Sequence, residues 1–383
     1  MSSLPTAKPD ELGFDVARLQ RAYDLLDSWT KPKADGTSEV SAGAICVGRQ
    51  GRMVAPRMFG RMTPAAEAPP IRDDAMFLLA SITKPVVYLG AMLLVERGKI
   101  NLTERVTKFL PEYAAHHKDD TLLLHLMTHT SGLPDMLVNN IALRKAHAPL
   151  STFVEHALRD TVPLFPPGTK LSYQSLGTLL TAEIVRIVSG VPIAEFVRRE
   201  IFEPLGLKSI GLGATGFDRA RLVNVETPAD QGADYGWNSP YWRELGSPWG
   251  GMLSSPADLA MIGALMLGEG AVKLADGRAV RIASPATVAA MTRNQLLALP
   301  ELPEAIARTR PWGLGWRMNH PGTDDSWCDL LGPQTYGHHG ATGTLLWMDP
   351  TTGVFAVLLT TATQMRRPWI LKNLSNAVAA AVL

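Results

Sequence analysis

Residues 81–98 read Ser-Ile-Thr-Lys-Pro-Val-Val-Tyr-Leu-Gly-Ala-Met-Leu-Leu-Val-Glu-Arg-Gly. Proline is tolerated in a helix only in the first turn, where backbone N–H groups lack partners anyway. Pro85 therefore places a helix start at Ser81–Ile82, and Gly98 is a natural stop just past its end. On such a helix Ser81 and Lys84 are three residues apart and share a face. A serine hydroxyl is a weak nucleophile until a base takes its proton. A lysine can be that base only where burial or nearby positive charge lowers its pKa. The helix start adds partial positive charge and unpaired N–H groups, so the Ser81 N–H is a candidate oxyanion donor. Taken alone, the spacing also fits an N-cap serine beside a surface lysine.

Outward from this helix, Met76 to Leu79 is a short apolar run. Residues 11–30 carry Phe14, Leu19, Leu25 and Leu26 among charges, the pattern of an amphipathic helix. Ser41–Val47 and Met53–Phe59 flank Gln50-Gly51 and read as a hairpin. Residues 100–235 are mostly helical patterns punctuated by Pro and Gly. Strand signals return at Gly315–Asn319, Thr344–Met348 and Val354–Thr360, the last two around the turn sequence Asp349-Pro350-Thr351-Thr352-Gly353. Ile370–Leu383 reads as a closing helix. Short hairpin spacings imply an antiparallel sheet, with terminal helices on one face and the central block as a second lobe. The expected class is α/β of the α+β type: an antiparallel sheet flanked by helices, plus an all-helical lobe. The expected domains are a discontinuous sheet-and-helix unit at 1–98 and 236–383, and a mainly helical lobe at 99–235.

The composition is that of a folded protein, with 46% hydrophobic and 19% charged residues among 383. Lys and Arg number 37 against 36 Asp and Glu, a net charge of +1, so no global field draws nucleic acid or an anionic membrane. Two cysteines, Cys46 and Cys328, exclude a disulfide scaffold and a Cys-based zinc site. Cys46 sits in an apolar run and is expected to pack as a small hydrophobe. Residues 1–5 show no basic or apolar leader pattern, so a cytoplasmic location is expected. The longest apolar stretch, Pro85–Val95, is far short of the roughly 20 residues of a membrane span.

Two further segments carry chemistry. After the Pro166-Pro167-Gly168 turn, Tyr173 and Ser175 stand two apart and can point the same way from an extended segment. Tyr336-Gly337-His338-His339-Gly340-Ala341-Thr342-Gly343, leading into a strand, suits close approach of a ligand to an edge backbone. Each alone also fits an ordinary turn or a structural tyrosine. Together, Ser81-x-x-Lys84, Tyr173-x-Ser175 and His338-x-Gly340 in this order resemble the three motifs of the serine β-lactamase/penicillin-binding protein-like superfamily. The resemblance is strongest to the class C-like branch that includes the family VIII carboxylesterases. Leu124–Pro134, Pro204–Leu207 and Gly250–Leu259 resemble its connecting segments, so the likeness covers about residues 11–383.

The resemblance implies Ser81 as the acylated nucleophile, with Lys84 and Tyr173 sharing base and acid duties in an order left open. Ser175 would orient the proton network. The N–H groups of Ser81 and Ala341 would form the oxyanion hole. His338, His339, Gly340 and Trp249 would meet substrate, with His339 free to point away. Two departures matter: His338 stands where lactamases usually carry lysine, and Ser175 stands in place of asparagine. A histidine near its ordinary pKa is a part-time cation, expected to titrate between about pH 5.5 and 7.5. Both departures favour neutral esters over β-lactams. The expected function is a serine carboxylesterase needing no cofactor or metal and acting on a small-molecule ester. The alternatives are a β-lactamase, a D-amino-acid peptidase or amidase, an acyltransferase, or a silent ligand-binding protein on the same fold.

The remaining features read as structural. His125 and His129 have helical metal-ligand spacing, but there is no Glu at 126 and no evident third ligand. His116-His117 reads as a solvated loop. No Gly-x-Ser-x-Gly elbow surrounds any serine. Trp237, Trp242 and Trp249 are either core or an aromatic wall, whereas Trp312 and Trp316 are expected in the core.

Overall fold

Helices form at α1 (Val16–Thr30), α2 (Thr83–Glu96), α3 (Leu123–Met127), α4 (Asn140–Lys145), α5 (Leu150–Arg159) and α6 (Leu176–Ser189). They continue with α7 (Ile193–Val197), α8 (Pro240–Leu245), α9 (Pro256–Leu267), α10 (Pro285–Thr292), α11 (Glu304–Thr309) and α12 (Trp369–Ala379). Strands are β1 (Ala42–Arg49), β2 (Arg52–Met53), β3 (Arg57–Gly60), β4 (Phe77–Leu78), β5 (Ile210–Leu212) and β6 (Met252–Ser254). The rest are β7 (Ala271–Lys273), β8 (Ala279–Arg281), β9 (Arg317–Met318), β10 (Tyr336–Gly340), β11 (Thr344–Asp349) and β12 (Val354–Thr360). The structure, a computed structural model, describes residues 3–33, 36–227, 232–323 and 326–383.

The main sheet has seven antiparallel strands in the order β2-β1-β12-β11-β10-β9, with β3 also on β1. The two ends of the chain thus build one sheet, as the hairpin spacings predict. Each central strand is buried on both faces, and its residues alternate between two cores. Ile45, Val47, Leu345, Trp347 and Leu358 face the helices α1 and α12, which pack on each other. Ala44, Cys46, Leu346, Met348 and Val357 face α9 and the rest of the molecule. Cys46 is fully buried there, as expected of a small hydrophobe.

α2 is buried along nearly its whole length and packs against α6 and α7. It starts after a 3-10 turn, Ala80–Ile82, so Pro85 falls in the first helical turn as the sequence requires. Gly98, at φ 67, donates its N–H to Val95 just past the end. In the helical segment, buried Lys118 closes the end of α5: its Nζ donates to the carbonyls of Leu158 and Thr161, both at 2.9 Å.

Two features depart from the sequence reading. β5 lies in the middle block yet pairs with β6, forming a small sheet with β4 beneath the start of α2. The His-His segment, read as a lead into a strand, is itself strand β10. Among the described residues, β9 pairs only with Tyr336 and Gly337, so His338–Gly340 form an open edge.

Gly337 shows why this edge is rich in glycine. A Cβ there would lie 2.3 Å from the Leu346 carbonyl oxygen and 2.9 Å from the Trp347 Cα, both backbone atoms that cannot yield. Gly337→Ala is expected to destabilise by about 1–3 kcal/mol, the usual cost of overpacking. Gly332→Ala, which meets nothing within 4 Å, is the control and should be near neutral. Urea unfolding of both variants checks the difference.

Candidate active site

Ser81 sits on a strained turn between β4 and α2. Ala80, just before it, has φ 47, a left-handed conformation that costs a non-glycine residue on the order of 1–3 kcal/mol. Neighbouring groups hold the turn by hydrogen bonds. Thr342 Oγ1 donates to the Leu78 carbonyl at 2.6 Å, and Thr344 Oγ1 donates to Leu79 at 2.8 Å. Thr83 Oγ1 donates to Ala80 at 2.6 Å and accepts from the Met252 N–H at 3.0 Å. Gly340 completes the contact, since a Cβ there would lie 2.1 Å from the Leu79 oxygen. The β10–β11 corner thus clamps the turn that carries the serine.

Lys84 is fully buried, and its Nζ lies 2.9 Å from Ser81 Oγ. The same nitrogen donates to the Trp249 carbonyl at 2.9 Å and lies 4.8 Å from the centre of the Tyr173 ring. Burial lowers its pKa from the ordinary 10.5 to about 7, with the charge of Asp135 opposing. The surface-lysine alternative fails here, because this amine is poised to be neutral near pH 7. Burial drives the Tyr173 phenol the other way, well above its ordinary value, with the Ser81 contact offsetting part of the rise.

Ser175 is the N-cap residue of α6, and its backbone N–H is held by Asp135 Oδ1 at 2.8 Å. Asp135 fits none of the three motifs, yet it is the carboxylate whose charge acts on both Lys84 and Tyr173. Only its place two residues after Gly132-Leu133 hinted at it, and that spacing carries no chemistry by itself.

A cavity of about 350 Å³ opens over this group, lined by Ser81, Leu171, Tyr173, Trp312, His339 and Ala341. Arg310, Arg317 and Gln364 complete its lining, Arg310 exposed and Arg317 buried. Ser81 and Ala341, the two expected oxyanion donors, therefore share one cavity. A larger cavity of about 710 Å³ lies at the far end of the sheet, by Gln50 and Gly353, and touches none of these groups.

The two histidines of β10 lie on opposite faces, as strand geometry demands. His339 faces the cavity, contrary to the option that it points away. His338 is 1% exposed, against 37% for Tyr173 beside it. Its Nδ1 lies 2.7 Å from the His339 carbonyl, which can only accept, so Nδ1 carries a proton. Burial above all, then His339 and Lys84, holds its pKa well below 6.5. The expected part-time cation is thus overturned: a titration at pH 5.5–7.5 does not come from His338.

The tryptophans also sort differently. Trp249 serves the site through its carbonyl, while its ring packs in the core at 6.1 Å from Trp242 and 5.9 Å from Phe153. Trp316 is buried as expected. Trp312 is buried in a small core cluster with Leu296 and Ala307, as expected, and also walls the cavity, 6.0 Å from the Tyr173 ring. His125 and His129 share no helix face, because α3 ends at Met127. Each uses its Nδ1 to accept a backbone N–H, from Leu122 and Gln174, at 3.2 Å.

With this geometry in place, likeness to known proteins is informative. The Beta-lactamase family model matches residues 30–381, and the chain belongs to that family. It is 28% identical to a putative D-alanyl-D-alanine carboxypeptidase of Salmonella typhi, over 93% of this chain and 85% of the relative. A penicillin-binding protein homolog from Caulobacter crescentus shares the fold at a TM-score of 0.73 and 23% identity, covering 95% of this chain and 97% of that one. A family VIII carboxylesterase does so at a TM-score of 0.70 and 19% identity, covering 94% and 96%. The protein is thus a member of the serine hydrolase superfamily with the β-lactamase fold.

Lys84 acts as a base only when neutral. The rate at which a fluorophosphonate labels Ser81 should therefore rise with pH and level off above about 7. The rise should persist in His338→Asn and vanish in Lys84→Arg, whose guanidinium stays protonated. A profile that follows His338 instead would return the titration to the histidine.

Proposed function

We propose that the protein hydrolyses carboxylic esters of small molecules through a Ser81 acyl-enzyme. The observation that carries this reading is the fully buried Lys84 amine, 2.9 Å from Ser81 Oγ, with its pKa lowered to about 7. Neutral Lys84 takes the hydroxyl proton as Oγ attacks the ester carbonyl carbon. The tetrahedral oxyanion is held by the N–H groups of Ser81 and Ala341. Collapse expels the alkoxide, which takes a proton from the Tyr173 phenol, and the phenolate is reprotonated from Lys84. Water then attacks the acyl carbonyl by the same proton path, releasing the acid and restoring Ser81. The opposite shifts of the two groups support this division: the lysine is the readier base, and the phenol keeps its proton to give.

The ester preference rests on His338, a buried neutral ring where a fixed cation would suit an anionic substrate, and on Ser175. A second reading, a carboxypeptidase acting on a D-amino-acid terminus, is supported by the exposed Arg310, whose guanidinium lines the cavity. The relatives named for that activity add to it.

Ser81→Ala should lower activity at least about 10³-fold with the fold intact. Wild type should carry a covalent adduct on Ser81 alone, read by intact mass and peptide mapping. Short p-nitrophenyl esters should give a higher kcat/KM than nitrocefin or a D-alanyl-D-alanine peptide on the same preparation. A preference for the peptide, lost in Arg310→Ala, would move the protein to the second reading.

A further inference from the structure

We propose that His129 is a positioning residue for Tyr173, holding the phenol in place through contacts on both sides of it; this rests on the proton-transfer role just given to Tyr173. The carbonyl of His129 accepts the N–H of Ser172 at 2.9 Å. Its Nδ1 accepts the N–H of Gln174 at 3.2 Å. One residue thus binds the backbone immediately before and immediately after Tyr173. Between those anchors its ring lies 4.5 Å from the Tyr173 ring, at 37°. The far side of the wedge is Trp312, 4.5 Å away and edge-on at 78°. Gln174 is fixed in turn, its side-chain amide donating to the Leu126 carbonyl at 3.0 Å.

Three observations say that this arrangement is not simple filling. His129 has φ 60, a left-handed conformation uncommon outside glycine and one that histidine, like asparagine, adopts more readily than most residues. That conformation aims its carbonyl and its ring at the same segment. Because Nδ1 accepts, the ring carries its proton on Nε2, and that atom is buried without a hydrogen-bond partner among the described residues. An apolar side chain would avoid that cost. The nitrogen is kept where only its partner Nδ1 has work, and that work is on the residue next to Tyr173. The ring is also fully buried and beside Lys84, so it stays neutral and does not compete for the proton of Ser81.

The test is a double-mutant cycle between His129 and Tyr173, with each rate divided by the number of Ser81 sites a fluorophosphonate labels. His129→Ala should lower kcat for a short p-nitrophenyl ester about 10- to 100-fold, the effect of misplacing a catalytic group by about 1 Å, with KM little changed. Asparagine tolerates the left-handed backbone and offers an acceptor near the place of Nδ1. His129→Asn should therefore recover much of the loss, and it keeps the test open if the alanine variant does not fold. In the Tyr173→Phe background both His129 changes should have almost no further effect. Additive losses with an impaired Tyr173→Phe would overturn the proposal while leaving the role of Tyr173 standing. Equal labelled-site kcat in all His129 variants would overturn it too. A fully active Tyr173→Phe would remove the role of Tyr173, and the proposal with it.

Discussion

An ammonium group taken out of water costs several kcal/mol unless it is paired or gives up its charge. Among the described residues Lys84 has no carboxylate against its nitrogen; its near partners are a hydroxyl and a carbonyl oxygen. The fold therefore forces the amine toward neutrality, and the chemistry of the site follows from that. To keep the nitrogen dry, α2 must be covered on all sides, by α6, by α7 and by the small sheet beneath its start. To keep Ser81 against it, the turn at Ala80 must hold a conformation that alanine resists. The threonine hydroxyls of the β10–β11 corner supply that restraint. The same corner presents Ala341 and His339 to the cavity, so one set of hydrogen bonds fixes both the nucleophile and the wall facing it.

The polar groups behind the cavity share a second property. His129 and His338 stay uncharged, each kept so by burial. Around a lysine that must give up and regain one proton, neutral neighbours leave its equilibrium to burial and to distant Asp135. Of the two arginines that line the cavity, Arg310 is exposed and Arg317 is buried against Trp327.

Much of this was legible in the chain. Pro85 and Gly98 bracket α2, and the strand signals of β1, β11 and β12 around tight turns announce an antiparallel sheet. The Ser81–Lys84 spacing and the Tyr173 segment come together as their motifs imply. What was not legible depends on tertiary placement. Tyr336–Gly340 holds two glycines in five residues, too few side chains to show strand periodicity, so β10 was read as a lead-in. Strand alternation puts His338 and His339 on opposite faces, but not which face is buried. Trp312 and Arg310 belong to no motif, nor does Asp135; long-range packing alone brings the first two to the cavity and the third to the Ser175 N–H. Trp249 marks another limit, since a sequence shows a side chain where the structure uses a backbone carbonyl.

The buried lysines also tie folding to the release of protons. In the unfolded chain Lys84 and Lys118 bind protons up to an ordinary pKa near 10.5, whereas folding lowers them to about 7 and about 8. Between those values and 10.5 the unfolded state holds more protons than the folded one. Through these two groups stability therefore grows as pH rises across that window, and acidification toward pH 7 withdraws the gain. The lysine held against Ser81 is thus also one that makes the native state favour mildly alkaline solution.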